Sequence, residues 1–106
     1  MDRIDQISEM LTKDPEDSFL RYALALEYDK KGDSDKAIEL INQLLERTPE
    51  YLGAYYKLGQ LFEEKGEYKK AIAIYKKGIV LAEANKDNKA KGELNEALWL
   101  IEDEEQ

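Results

Sequence analysis

The chain has 106 residues and a formal net charge of −8; 38% of the residues are charged and 42% are hydrophobic. That is enough for one small domain, apolar enough to fold and acidic enough to repel phosphate backbones and anionic lipid. No nucleic acid and no membrane is therefore expected as a partner. Cysteine and histidine are both absent, which excludes disulfides, thiol nucleophiles, Ser–His catalysis and the usual zinc ligands. No phosphate-cradling glycine motif occurs. No cofactor, metal or catalytic residue is expected. The opening MDRIDQISEM is too polar for a signal peptide, and no apolar run is long enough to cross a bilayer. The cytoplasm is the expected compartment.

Ile4, Ile7, Met10 and Leu11 recur at helical spacing and predict a first helix that stops at Asp14-Pro15. Phe19, Tyr22, Ala23, Ala25 and Leu26 predict a second helix. The KKGD turn ends it, with Gly32 suited to a left-handed C-terminal position and Asp33 or Ser34 able to cap the next helix. That third helix carries Ala37, Ile38, Ile41, Leu44 and Leu45 and stops before Thr48-Pro49. The run from Glu50 to about Ala84 repeats this pair. NKDN breaks the chain, and Asp87 or Asn88 can cap a last helix with the stripe Ala90, Leu94, Ala97, Leu98 and Ile101. Trp99 falls to one side of that stripe. The closing EDEEQ reads as a frayed acidic tail, since negative charge is unfavourable at a helix C-terminus.

EYDKKGDSDKAI and LFEEKGEYKKAI are versions of one sentence. Gly32 and Gly66 lie 34 residues apart, and so do Ala37 and Ala71. Leu24 matches Leu58, Ala25 matches Gly59, and Tyr28 matches Phe62. A 34-residue helix–turn–helix period resembles the tetratricopeptide repeat, with its pattern W-x2-L-G-x2-Y, A-x3-F and P. The second unit supplies Tyr55, Leu58, Gly59, Phe62, Ala71 and Tyr75 at those places. The first supplies Arg21, Leu24, Ala25, Tyr28, Ala37, Ile41 and Pro49. Two departures carry expectations. Arg21 replaces an aromatic, so the outer end of the first repeat should be more open. Glu83 replaces a proline, so the helix from Tyr68 should run on.

The resemblance implies an all-α, right-handed antiparallel helix stack of about six helices. The assignment is an N-terminal capping helix in 1–15, repeats in 16–49 and 50–84, and a C-terminal capping helix in 87–103. It also implies a non-catalytic protein-interaction module that binds a peptide or helix of a partner protein in a concave groove. Tyr22 and Tyr56, equivalent at the offset of 34, would face that groove with Phe19, Leu26, Tyr51 and Gln60 nearby. Lys57, Gln60 and Glu63 would fix orientation. Tyrosine suits recognition because it combines a large apolar face, a hydroxyl and few rotors. The lysine and asparagine that some relatives use to clamp a chaperone's C-terminal carboxylate are replaced here by Tyr22 and Leu26. The alternative is a structural homodimer formed through exposed repeat ends. Two further readings are weaker than their plain counterparts. Asp29, Asp33 and Asp35 fail the calcium-loop spacing and read as turn and cap residues. The lysines between Lys65 and Lys91 read as a solvated face rather than a dock for an acidic partner.

Overall fold

Each helix of the chain begins or ends at a residue whose chemistry accounts for the break. The computed structural model describes residues 2–102. Six helices fill that span, with no strand among the described residues: α1 (Arg3–Lys13), α2 (Ser18–Lys30), α3 (Ser34–Arg47), α4 (Leu52–Glu64), α5 (Tyr68–Ala84) and α6 (Asn88–Glu102). Aspartates open four of them. Asp2 accepts from the Asp5 amide at 2.8 Å, Asp17 from Leu20 at 3.0 Å, Asp33 from Lys36 at 3.1 Å and Asp87 from Ala90 at 3.0 Å. Each satisfies an amide that the first helical turn leaves unpaired. The tail expected to fray, EDEEQ, lies beyond the described residues except for Glu102.

The two repeat turns close alike. Gly32 has φ +89° and Gly66 φ +76°, and the next amide reaches back to the helix, Asp33 N–H to Tyr28 O and Glu67 N–H to Phe62 O, both at 2.9 Å. This is the left-handed helix stop that glycine makes without steric cost. The end of α5 uses the same bond, Asp87 N–H to Ala82 O at 2.9 Å, but Lys86 holds the left-handed position at φ +55°. With Glu83 in place of a proline, α5 runs to 17 residues against 14 for α3, as expected.

The chain divides into two units at the repeat boundary, one ending at Pro49 and the other beginning at Glu50. In the first, α1 and α3 both pack on α2. Ile7, Leu24, Ala25, Ala37, Leu40, Ile41 and Leu44 are buried. The outer end of this repeat is not open. The Arg21 guanidinium donates to Gln43 Oε1 at 3.0 Å and to the Pro15 carbonyl at 2.7 Å. Arg47 donates to the same carbonyl at 3.1 Å and pairs with Glu16 at 2.6 Å. Ser18 and Thr48 join their hydroxyls. A polar clasp replaces the missing aromatic, because a guanidinium's several donors can hold a loop carbonyl and a neighbouring helix together.

In the second unit α4 packs on α5, and α5 on α6. Ala54, Tyr55, Leu58 and Leu61 of α4 are buried, and Ala71, Tyr75, Ala82, Leu94, Ala97 and Ile101 form a core cluster, with Leu52, Tyr56, Phe62 and Leu98 packed around it. Gly59 is needed for a close approach: a Cβ there would lie 2.2 Å from the Tyr75 ring. α6 thus contributes three core residues and is part of the unit.

Candidate functional site

Phe19, Tyr22 and Leu26 are spaced by three and four residues, so they form one stripe of α2, on the side turned away from the buried Leu24. Phe19 is 66% exposed; Tyr22 and Leu26 are half-buried. Beside this stripe Glu27 receives Arg3 at 3.3 Å and Lys30 at 3.2 Å. That ion pair ties the start of α1 to the end of α2.

On α4 the equivalent residues are Tyr56 and Gln60, both half-buried. Tyr56 also packs against a neighbouring helix, the alternative to groove contact for this residue. It lies against the core cluster, its ring centroid 6.2 Å from that of Tyr75. Tyr51 sits at the α4 N-cap with extended-side backbone (φ −76°, ψ 85°), half-buried and just before the helix. Glu63 is half-buried and accepts a hydrogen bond from the Tyr75 hydroxyl. Burial drives the Tyr75 hydroxyl far above the usual tyrosine value of 10.0, reinforced by its bond to Glu63, that carboxylate's charge and neighbouring Tyr56. Tyr75 therefore stays a neutral donor, and one Glu63 oxygen is committed inside the unit. Burial and the charge of Glu50 push Tyr55 upward as well.

Two depressions flank α4 where α6 approaches. One, of about 130 Å³, is lined by Leu52, Gly53, Tyr56, Asp87, Ala90, Glu93 and Leu94. The other, of about 330 Å³, is lined by Glu63, Glu64, Tyr68, Leu100 and Ile101. Glu93 and Leu100 were missed as candidates. The signal was available, since both lie on one flank of the α6 apolar stripe, seven residues apart. These surfaces offer apolar and aromatic area edged by carboxylates. They can hold apolar side chains and attract cationic ones. No cluster suited to a metal ion occurs among the described residues. No described helix is long and apolar enough to cross a membrane. The lysine-rich α5 surface is solvated, with Lys69, Lys70, Lys76 and Lys77 exposed and Lys70 placed 3.6 Å from Glu67 and over the Phe62 ring.

The tetratricopeptide repeat profile matches residues 22–88. Among solved structures, a tetratricopeptide repeat domain protein of Salinibacter ruber is similar in both its solution and crystal forms. The solution form is 40% identical over 83% of this chain and 89% of its own, with a TM-score of 0.79. The crystal form is 38% identical over 81% of this chain and 96% of its own, with a TM-score of 0.76. A Bordetella parapertussis protein shares the fold at 22% identity, with a TM-score of 0.86 over 98% of this chain and 90% of its own. No curated protein sequence matches. Domains of this kind generally bind protein partners and are typically non-catalytic scaffolds. With two helix–turn–helix units at a period of 34 and a profile match across both, the chain belongs to the tetratricopeptide repeat family.

Proposed function

We propose that the protein is a non-catalytic interaction module that holds a peptide or helix of a partner protein against the first-helix faces of its repeats. The observation that carries this reading is Phe19. It is 66% exposed on the same stripe as Tyr22 and Leu26, while the core of its unit is built without it. An exposed aromatic beside half-buried apolar neighbours is the arrangement of a contact anchor. Tyr56 supplies the edge of a depression, and Gln60, Lys57 and Glu63 supply polar groups that orient the partner. Glu63, Glu64 and Glu93 around these depressions, with the net charge of −8, favour a partner segment that combines apolar anchors with lysine or arginine.

The test is a photo-crosslinking amino acid placed at position 19 or, as control, at position 80 in cells of the native source. Val80 is as exposed as Phe19, at 67%, but lies on a second helix. A discrete adduct at 19 that disappears with Tyr22→Ala, and none at 80, supports the reading. Equal labelling from both positions contradicts it.

A further inference from the structure

The ends of the helices carry a charge pattern that packing does not explain. A helix C-terminus is the negative end of the helix and favours a cation. α1, α2 and α3 follow this rule, with Lys13, Lys30 and Arg47 in their last turns. At the end of α5 the charge of Glu83 is met by Lys91 at 3.2 Å. α4 and α6 have no basic residue in the last turn. α4 ends on Glu63 and Glu64, and α6 ends on Glu102. Lys65, at the α4 C-cap, is itself engaged. Glu64 is exposed and has no hydrogen-bond or ion-pair partner among the described residues. Its charge is therefore held where it is unfavourable, with nothing in the chain to offset it.

These two negative ends meet at the larger depression, lined by Glu63, Glu64, Tyr68, Leu100 and Ile101. Its volume of about 330 Å³ is at the lower end of ligand sites. Its walls are apolar and aromatic, with Leu100 57% exposed and Tyr68 half-buried. No cation lines it. Lys69 and Lys70 line a neighbouring depression with Gly66 and Glu67. The start of α5, a positive helix end, carries Glu67 at its N-cap. The smaller depression is the electrostatic opposite. It lies at the starts of α4 and α6, and its Asp87 is occupied by the Ala90 amide at 3.0 Å.

We propose that the depression at the ends of α4 and α6 receives an arginine side chain of a partner protein, with an apolar neighbour of that arginine against Leu100. The proposal rests on the reading of the chain as an interaction module and names the residue this part of it selects. Charge complementarity decides the occupant: two carboxylates and two negative helix ends surround an apolar floor that no cation of the chain lines. A bare metal ion does not suit it, since no acidic group among the described residues is placed to hold one. Arginine suits it better than lysine. Glu63 is half-buried and one of its oxygens is held by the Tyr75 hydroxyl. A guanidinium approaches such a site with less loss of hydration than an ammonium, and its plane can lie on the Tyr68 ring. Its methylene stem covers the apolar wall.

The experiment follows the amide chemical shifts of the full chain during titration with acetyl-Leu-Arg-amide. The same dipeptide with citrulline, the neutral isostere, or with lysine serves as comparison. The expected result is millimolar binding that moves Glu63, Glu64, Tyr68, Leu100 and Ile101, leaves Gly53 at the other end of α4 unmoved, and weakens with salt. The citrulline peptide should bind at least about threefold more weakly, the worth of an exposed ion pair, and the lysine peptide should also fall below arginine. Glu64→Gln should weaken the arginine peptide about threefold without lowering the melting temperature, because it removes charge from a negative helix end. Equal binding of the citrulline peptide overturns the proposal, as does tighter binding of the lysine peptide. So do shifts centred elsewhere, or a Glu64→Gln variant that binds as well as wild type or melts lower. The titration uses no native partner, so its failure leaves the crosslinking result at position 19 standing, and a failed crosslink leaves the titration standing.

Discussion

Tyr75 and Gly59 show how much of the second unit hangs on one ring. Tyr75 is fully buried, its edge fills the space left by the missing Gly59 side chain, and its hydroxyl reaches Glu63. Gly59→Ala places a methyl carbon on a ring that cannot retreat, and should cost about 1–3 kcal/mol or more, read as a lower denaturant midpoint. An unchanged midpoint would mean that the ring has room to move. Because the folded state holds the Tyr75 proton above the ordinary value of 10.0, the unfolded chain releases that proton first as pH rises. The stabilisation is complete below pH 10 and declines above it. Wild type should lose about 1.4 kcal/mol per pH unit relative to Tyr75→Phe once pH exceeds 10. Parallel alkaline melting curves for the two proteins would show that the hydroxyl contributes nothing. The small residue facing Tyr75 was legible as a repeat position in the sequence, Ala25 opposite Gly59. The polar cluster around Arg21 was not, because its partners lie in distant turns and a side-chain hydrogen bond leaves no periodic trace.

Among the elements, α5 and α6 depart most from the repeat, and each departure has a measurable consequence. Lys86 occupies the left-handed stop that glycine fills at the two repeat turns. Its side chain is exposed, so Lys86→Gly relieves strain without removing packing and should stabilise by about 0.5–1 kcal/mol. A drop in melting temperature would indicate a contact that exposure does not reveal. α6 completes a core, and its residues separate accordingly. Leu94, 2% exposed, should cost about 2–4 kcal/mol on truncation to alanine, while Leu100, 57% exposed, should cost little. Equal effects would mean that α6 is a loosely attached helix. The stripe of α6, the Gly32 and Gly66 turns and the run-on of α5 were all readable, since periodicity and φ preference are local. The choice between groove contact and helix packing for Tyr56 was not. At the offset of 34 it matches Tyr22, and only the approach of a non-repeating helix distinguishes the two environments.

At the scale of the molecule, the family is established and with it the general business of binding protein. Composition removed most catalytic chemistries, and the 34-residue period specified the helices. The choice of partner is written in exposed side chains, where periodicity has no say. The proposed contact is made by the α2 stripe. It is tested most directly by calorimetric titration of the partner captured at position 19 against wild type and the Phe19→Ala/Tyr22→Ala double variant, with melting measured on both. The double variant should lose about 2–4 kcal/mol of binding free energy, the range of central aromatic anchors, and less stability than Leu24→Ala does. Undiminished affinity in a folded double variant would contradict it.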